Sequence, residues 1–170
     1  MVSTTSGDTY RAELYLRGDT FGTYDAQQRI LDRVTSLDDE GVLEMEGLDE
    51  WEAIQTVEYE HREGALATYE EFQDWALHND VRLEPAFKQR MQTGLDRTEV
   101  TRVIVFPVIA LAVYEADRLA AVFPCSRSDD HFRVQDCLGA FESGNIDRFL
   151  MQFAPREVDR TAPHLEAAFG

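Results

Sequence analysis

Residues 10–41 read YRAELYLRGDTFGTYDAQQRILDRVTSLDDEG, and they decide the fold class. In the first eight, Tyr10, Ala12, Leu14 and Leu16 alternate with Arg11, Glu13, Tyr15 and Arg17. A period of two is the mark of a half-buried strand. Gly18 to Gly22 read as a turn, and from Thr23 the period changes. Ile30, Leu31, Val34 and Leu37 fall on one stripe, with Asp25, Arg29, Asp32 and Arg33 outside it. That spacing predicts an amphipathic helix with Thr23 as N-cap and Gly41 as the closing glycine.

Outward from this β-α unit, Val42 to Met45 predict a second strand, with a looser continuation across Trp51 to Tyr59. Leu66, Tyr69, Phe72 and Ala76, three or four apart, predict a helix ending at His78-Asn79-Asp80. Leu83, Pro85 and Phe87 suggest a short edge strand, where proline is tolerated. Met91 to Thr98 read as a polar connection, and Val103 to Tyr114 as one long buried strand with Pro107 as a bulge or edge feature. Ala116-Asp117-Arg118 form a tight turn that returns Leu119 to Phe123 as a hairpin partner. Ser126 to Asp130 are a polar loop. Val134, Cys137, Leu138 and Phe141 predict a helix ending at Gly144, and Ile146, Phe149, Leu150 and Phe153 a further short one.

The order predicts an α+β fold: a mostly antiparallel sheet with helices on one face, a ferredoxin-like arrangement being the first guess. The expected organisation is a disordered N-terminus over 1–9, a single α+β domain over 10–143, and a C-terminal helix and tail over 144–170.

Charge is the most informative part of the composition. There are 33 Asp and Glu against 16 Lys and Arg, a formal net charge of −17, and Lys88 is the sole lysine. Such self-repulsion destabilises a compact chain in ordinary buffer, but about 1 M salt shortens the Debye length to about 3 Å and screens most of it. The lysine-poor, acidic composition resembles that of proteins from extremely halophilic archaea. Cys125 and Cys137 are too few for a disulfide framework. The N-terminus lacks the pattern of a signal peptide, and the run Val103 to Tyr114 is too short to span a membrane, which points to a cytoplasmic protein.

No motif for catalysis is present: no G-x-S-x-G, no glycine-rich phosphate loop, no H-E-x-x-H. Cys125, His131 and Cys137 lie too far apart to match zinc spacings, and Cys137 falls on the apolar stripe of its helix, so no metal and no cofactor are expected. Glu58, Glu60, His61 and Glu63 cluster, as carboxylates do throughout so acidic a chain. Trp51, Trp75, Tyr69 and Phe72 could line a ligand pocket, but aromatics at helical spacing read first as core. Arg82, Arg90, Arg97 and Arg102, interrupted by Glu84, Asp96 and Glu99, form the densest cationic stretch; surface salt bridging is the preferred reading, and contact with phosphate is to be sought there first.

Three segments carry a resemblance: Tyr69–Ala76 with Leu83–Phe87, Val105–Tyr114 with Leu119–Cys125, and Val134–Leu138. Together they resemble a family of small haloarchaeal proteins labelled helix-turn-helix (HTH) domain, over about Tyr10 to Ser143. The resemblance implies DNA binding and a role in transcription regulation. The helix pair closest to that motif starts at Val134 and Ile146, linked by Glu142 to Asn145, and would point Arg148 at a groove. Asp147 and Glu142 beside it repel phosphate. Two functions follow as expectations. One is a non-enzymatic, DNA-binding regulatory protein. The other is a small-molecule- or protein-binding module on a ferredoxin-like sheet, pairing as a homodimer through a sheet edge.

Overall fold

The computed structural model describes residues 9–18, 22–57, 64–96 and 98–154. The expectations for the N-terminus to residue 8, for the 58–63 carboxylate cluster, for Arg97 and for the tail from 155 lie outside the described residues.

Strand β1 (Tyr10–Arg17) is followed by helix α1 (Tyr24–Asp39) and strand β2 (Leu43–Trp51), which pairs parallel to β1. Ile30, Val34 and Leu37 are buried on α1, as their spacing predicts. The helix stops because Gly41 takes φ +77°, so that its N–H donates to Asp38 O and the N–H of Val42 to Leu37 O. This pair of bonds is the Schellman termination, which a left-handed glycine permits without strain. Thr23 occupies the N-cap position but has ψ near 1°, outside the extended region a capping side chain needs. Its hydroxyl is buried and finds no hydrogen-bond partner among the described residues.

Strand β3 (Ile54–Thr56) and helix α2 (Ala65–His78) follow, then β4 (Lys88–Thr93), β5 (Val100–Val105), β6 (Ile109–Glu115) and β7 (Arg118–Phe123). A hairpin of β8 (Cys125–Arg127) and β9 (Asp130–Phe132) leads to helices α3 (Val134–Glu142) and α4 (Ile146–Met151). The strands form a four-stranded sheet in the order β2-β1-β6-β7, a three-stranded sheet in the order β3-β5-β4, and the β8-β9 hairpin.

The fold is α+β, and its details correct the sequence reading in six places. The run 103–114 is two strands in two sheets. Phe106-Pro107-Val108 carries the chain between them, and its carbonyls accept from Arg17 Nη1 (2.9 Å), Trp51 Nε1 (3.1 Å) and the Arg17 N–H (2.9 Å) respectively. Residues 88–93 form a strand where a polar connection was expected to begin at Met91. Leu83 and Phe87 are core residues in a turn, 3% and 0% exposed, and not an edge strand. The 125–132 loop is a short hairpin. Finally, the helices occupy both faces of the main sheet. Tyr10 meets Phe141 of α3 edge-on at 5.7 Å, whereas Tyr15 meets Phe72 of α2 at 5.7 Å. Positions 10 and 15 of one strand point to opposite sides. The ferredoxin-like connectivity also differs, since α1 here joins strands that are direct neighbours instead of a split pair.

The core is aromatic. Trp51 stacks on Tyr15 at 4.8 Å and meets Phe106 at 4.5 Å, with Phe87 and Phe72 completing the cluster.

Candidate nucleic-acid interface

Two elements carry the cations that the sequence singles out. The first is the pair α3 and α4, joined by Ser143, Gly144 and Asn145, a link of helix-turn-helix length. Gly144 takes φ +76°, and the Asn145 N–H donates to Ala140 O at 2.8 Å, closing α3 as Gly41 closes α1. The second helix has only six residues, about 9 Å of length. Ile146 and Leu150 are buried, and Asp147 accepts a hydrogen bond from the Tyr10 hydroxyl. Arg148 is exposed. Glu142 is engaged by Arg33 of α1 in a two-pronged pair at 2.7 and 2.8 Å, which holds its carboxyl below the ordinary range. This pair therefore offers one free cation on a helix too short to lie along a groove.

The second element is the antiparallel ribbon of β4 and β5, in register from Lys88↔Val105 to Thr93↔Val100. All six residues of β4 are exposed, and at the tip Leu95 is fully so. The tip closes with Gly94 N–H to Glu99 O at 2.9 Å. Segment 88–105 carries Lys88, Arg90, Arg97 and Arg102 against Asp96 and Glu99, a net +2 in a chain of net −17. The rest of the chain therefore carries −19. Elsewhere among the described residues Arg11 pairs with Glu46 at 2.7 Å, Arg33 with Glu142, Arg118 with Glu115 and Arg133 with Asp136, while Arg17, Arg29, Arg82, Arg127 and Arg148 form no ion pair. Among the described residues, Lys88, Arg90 and Arg102 have no ion-pair partner.

The register separates the two faces of the ribbon. Gln89 and Ile104 are opposite each other, Gln89 Nε2 donating to the Tyr69 hydroxyl of α2 at 3.1 Å, so this face looks inward. Arg102 and Met91 share that face nearer the tip. Lys88, Arg90, Gln92 and Thr101 lie on the other, outward face together with the buried Val103 and the half-buried Val105. The structure thus places Arg90 and Arg102 on opposite sides of one ribbon. Arg82 stands apart, its backbone bridged to Ser126 and its guanidinium donating to Ser128 O at 2.7 Å. Sequence reasoning missed Lys88 and Gln92, and their spacing of two from Arg90 is the signal that finds them.

Cys125, His131 and Cys137 are not brought together as ligands. In the hairpin, Ser126 pairs with His131 and their side chains bond at 2.8 Å, while Cys125 pairs with Phe132. Burial pushes the Cys125 thiol up to about 12, and that of Cys137 well above its ordinary value. Among the described residues no group of three or more His, Cys, Asp or Glu is placed to hold a metal ion. Trp51, Tyr69, Phe72 and Trp75 are all core, as expected, and Trp75 also borders a cleft of about 620 Å³ between α2, β7 and α4. Leu119, Leu150 and Phe153 line it with Asp74 and Glu115. No helix among the described residues is long and apolar enough to cross a membrane.

The fold and the candidate interface are those of a small α+β protein with a cationic β-ribbon and a short helix pair. The model of a family described as a helix-turn-helix domain matches residues 4–146, most of the chain, and the protein belongs to that family. The match ends at the first residue of α4. No curated protein and no solved structure matches the chain.

Proposed function

We propose that the protein is a non-enzymatic DNA-binding regulator that works in the cytoplasm of a cell holding molar salt. The observation that carries this is membership of the helix-turn-helix domain family over residues 4–146. The free cations Arg90, Arg102 and Arg148 support it, as does the paucity of lysine in a chain of net −17. At molar salt, counterion release contributes little to binding, so recognition there depends on shape and base contacts. The test is selection from a random duplex DNA pool with the purified protein in about 2 M KCl. One enriched motif is the expected result. Recovery of none, with the protein folded in the same buffer, overturns the reading.

A second reading, a module that binds a small molecule, is favoured by the cleft beside Trp75, whose volume of about 620 Å³ suits such a ligand. A ligand seated there would touch α2 and α4 together. Thermal stabilisation by members of a metabolite library tests it, and no shift with any of them counts against it.

A further inference from the structure

We infer that the protein contacts duplex DNA through the outward face of the β4–β5 ribbon, laid in the major groove, and not through a recognition helix. The inference rests on the DNA-binding reading above and names the element that performs it.

The major groove admits either an α-helix or a two-stranded β-ribbon. Of the two candidates, α4 is about 9 Å long with both Ile146 and Leu150 turned into the core. Strand β4 is six residues long, about 20 Å, and exposed throughout; it is an edge of the β3-β5-β4 sheet, which narrows to two strands from Met91 to Thr93. Its outward face carries Lys88, Arg90 and Gln92 at alternate positions of β4, with Thr101 opposite Gln92. These are the side chains suited to base edges: Arg and Lys donate to guanine O6 and N7, Gln pairs with adenine N6 and N7, and Thr serves either. Alternate residues on a strand are about 6.8 Å apart, the rise of two base pairs at about 3.4 Å each. No carboxylate stands on this face within the two strands, in a chain with 33 of them. The inward face is covered at its base by the Gln89–Tyr69 bond and the buried Ile104, while Met91 and Arg102 nearer the tip stay exposed; on the outward face Val103, opposite Arg90, is buried and Lys88, Arg90 and Gln92 are exposed. Charge complementarity thus selects an anionic partner for a +2 arm on a −19 body. The reach of a flat ribbon selects B-form duplex over RNA, whose major groove is too narrow for side chains to read.

Lysine and arginine on an edge strand also deter edge-to-edge pairing, and β4 is such an edge. The experiment separates the two roles. Arg90→Thr, Lys88→Thr, Gln92→Ala and Arg148→Ala are made in the full chain. Binding to the motif selected by the wild type is measured between 0.5 and 3 M KCl, with self-association followed in parallel. The threonine variants keep β propensity at exposed positions, so the strand is retained. Arg90→Thr is expected to bind about 10- to 100-fold more weakly and to relax preference at one base pair. Lys88→Thr is expected to reduce the salt slope by about 1. Gln92→Ala should alter preference at one position, and Arg148→Ala should bind as the wild type does. Loss of binding in Arg148→Ala with the ribbon variants unaffected overturns the inference and leaves the DNA-binding reading intact. So does self-association of the ribbon variants at unchanged affinity, which would assign the cations to edge protection. A wild type that selects no motif overturns both.

Discussion

The turn between α3 and α4 sets how the short helix is presented, and Gly144 is the residue on which it depends. At φ +76°, an alanine in its place meets no atom within 4 Å, so its cost is conformational alone. The left-handed region costs an L-residue about 1–2 kcal/mol. Gly139 lies inside α3, and a Cβ there also meets nothing within 4 Å, but its φ is not left-handed. Alanine at 139 should stabilise the protein by about 0.5–1 kcal/mol, the ordinary gain for replacing glycine in a helix. Both substitutions restrict the unfolded chain equally, so that contribution cancels when the two variants are compared. The difference between Gly139→Ala and Gly144→Ala then reports the strain of the turn, about 1–2 kcal/mol. Gly41→Ala, at φ +77° in the same kind of termination, should match Gly144→Ala. Equilibrium urea unfolding in 2 M KCl, with a common m-value, resolves a difference of this size. Equal stabilities for the 139 and 144 variants would refute the left-handed turn and with it the placement of α4.

Two further predictions follow from the ionisable groups. Arg33 holds the Glu142 carboxyl below its ordinary 4.5, and a depressed carboxylate contributes stability that is present above 4.5 and lost as pH falls through the native value. The pH-dependent part of the loss in Arg33→Ala should therefore be present at pH 6 and vanish in acid. It should amount to a few tenths of a kcal/mol at most, because both side chains are a third or more exposed; a loss that persists unchanged at pH 2.5 would assign the effect to packing of the arginine stem. Burial raises both thiols, so neither Cys125 nor Cys137 should react with a disulfide reagent at pH 8 faster than the protein unfolds, while two equivalents react in urea. A single fast thiol in the native protein would contradict the burial of its site.

The sequence announces an element clearly where its own pattern contrasts a buried with an exposed side. The stripes of α1, α2 and α3 do so and lie where the spacing predicts, whereas the alternation in β1 finds the strand but misses Tyr15, which is buried against Phe72 of α2. The candidate interface was legible as a cluster of arginines and illegible as a ribbon. KQRMQT, the sequence of β4, is polar on both sides because both sides are wet, so no period of two survives. What makes it a strand is pairing with β5, a tertiary fact. The opposite failure occurs at 103–114, where both β5 and β6 contribute apolar residues and the boundary vanishes into one long run. Pro107 marks the break, since a residue without an N–H interrupts a ladder. A bulge would satisfy the same local constraint, and only the capture of the 106–108 carbonyls by Arg17 and Trp51 distinguishes them.

The partition of charge between body and ribbon bears on how salt should control the proposed DNA contact. A body of −19 repels phosphate, and a ribbon of +2 attracts it, over different distances. At 0.01 M salt the Debye length is about 30 Å, longer than the roughly 20 Å ribbon, so DNA held by the ribbon still feels the body. At 1 M it is about 3 Å, and the body's repulsion ends well short of the bound duplex. Direct contacts of Lys88 and Arg90 with DNA are made within that distance and survive, weakened by counterion competition with a slope of about −0.9 per phosphate neutralised. Affinity should therefore pass through a maximum as KCl is raised, climbing while the body is being screened and falling once only the ribbon's contacts remain. An ordinary basic DNA-binding surface shows the falling limb alone. Titration of a selected duplex from 0.1 to 3 M KCl distinguishes them, provided the protein is shown folded at each salt. A monotonic fall across the folded range would mean that the body lies far from the bound DNA or that the contact is made elsewhere. The maximum should persist in Arg148→Ala and disappear together with binding when Lys88 and Arg90 are both replaced by threonine.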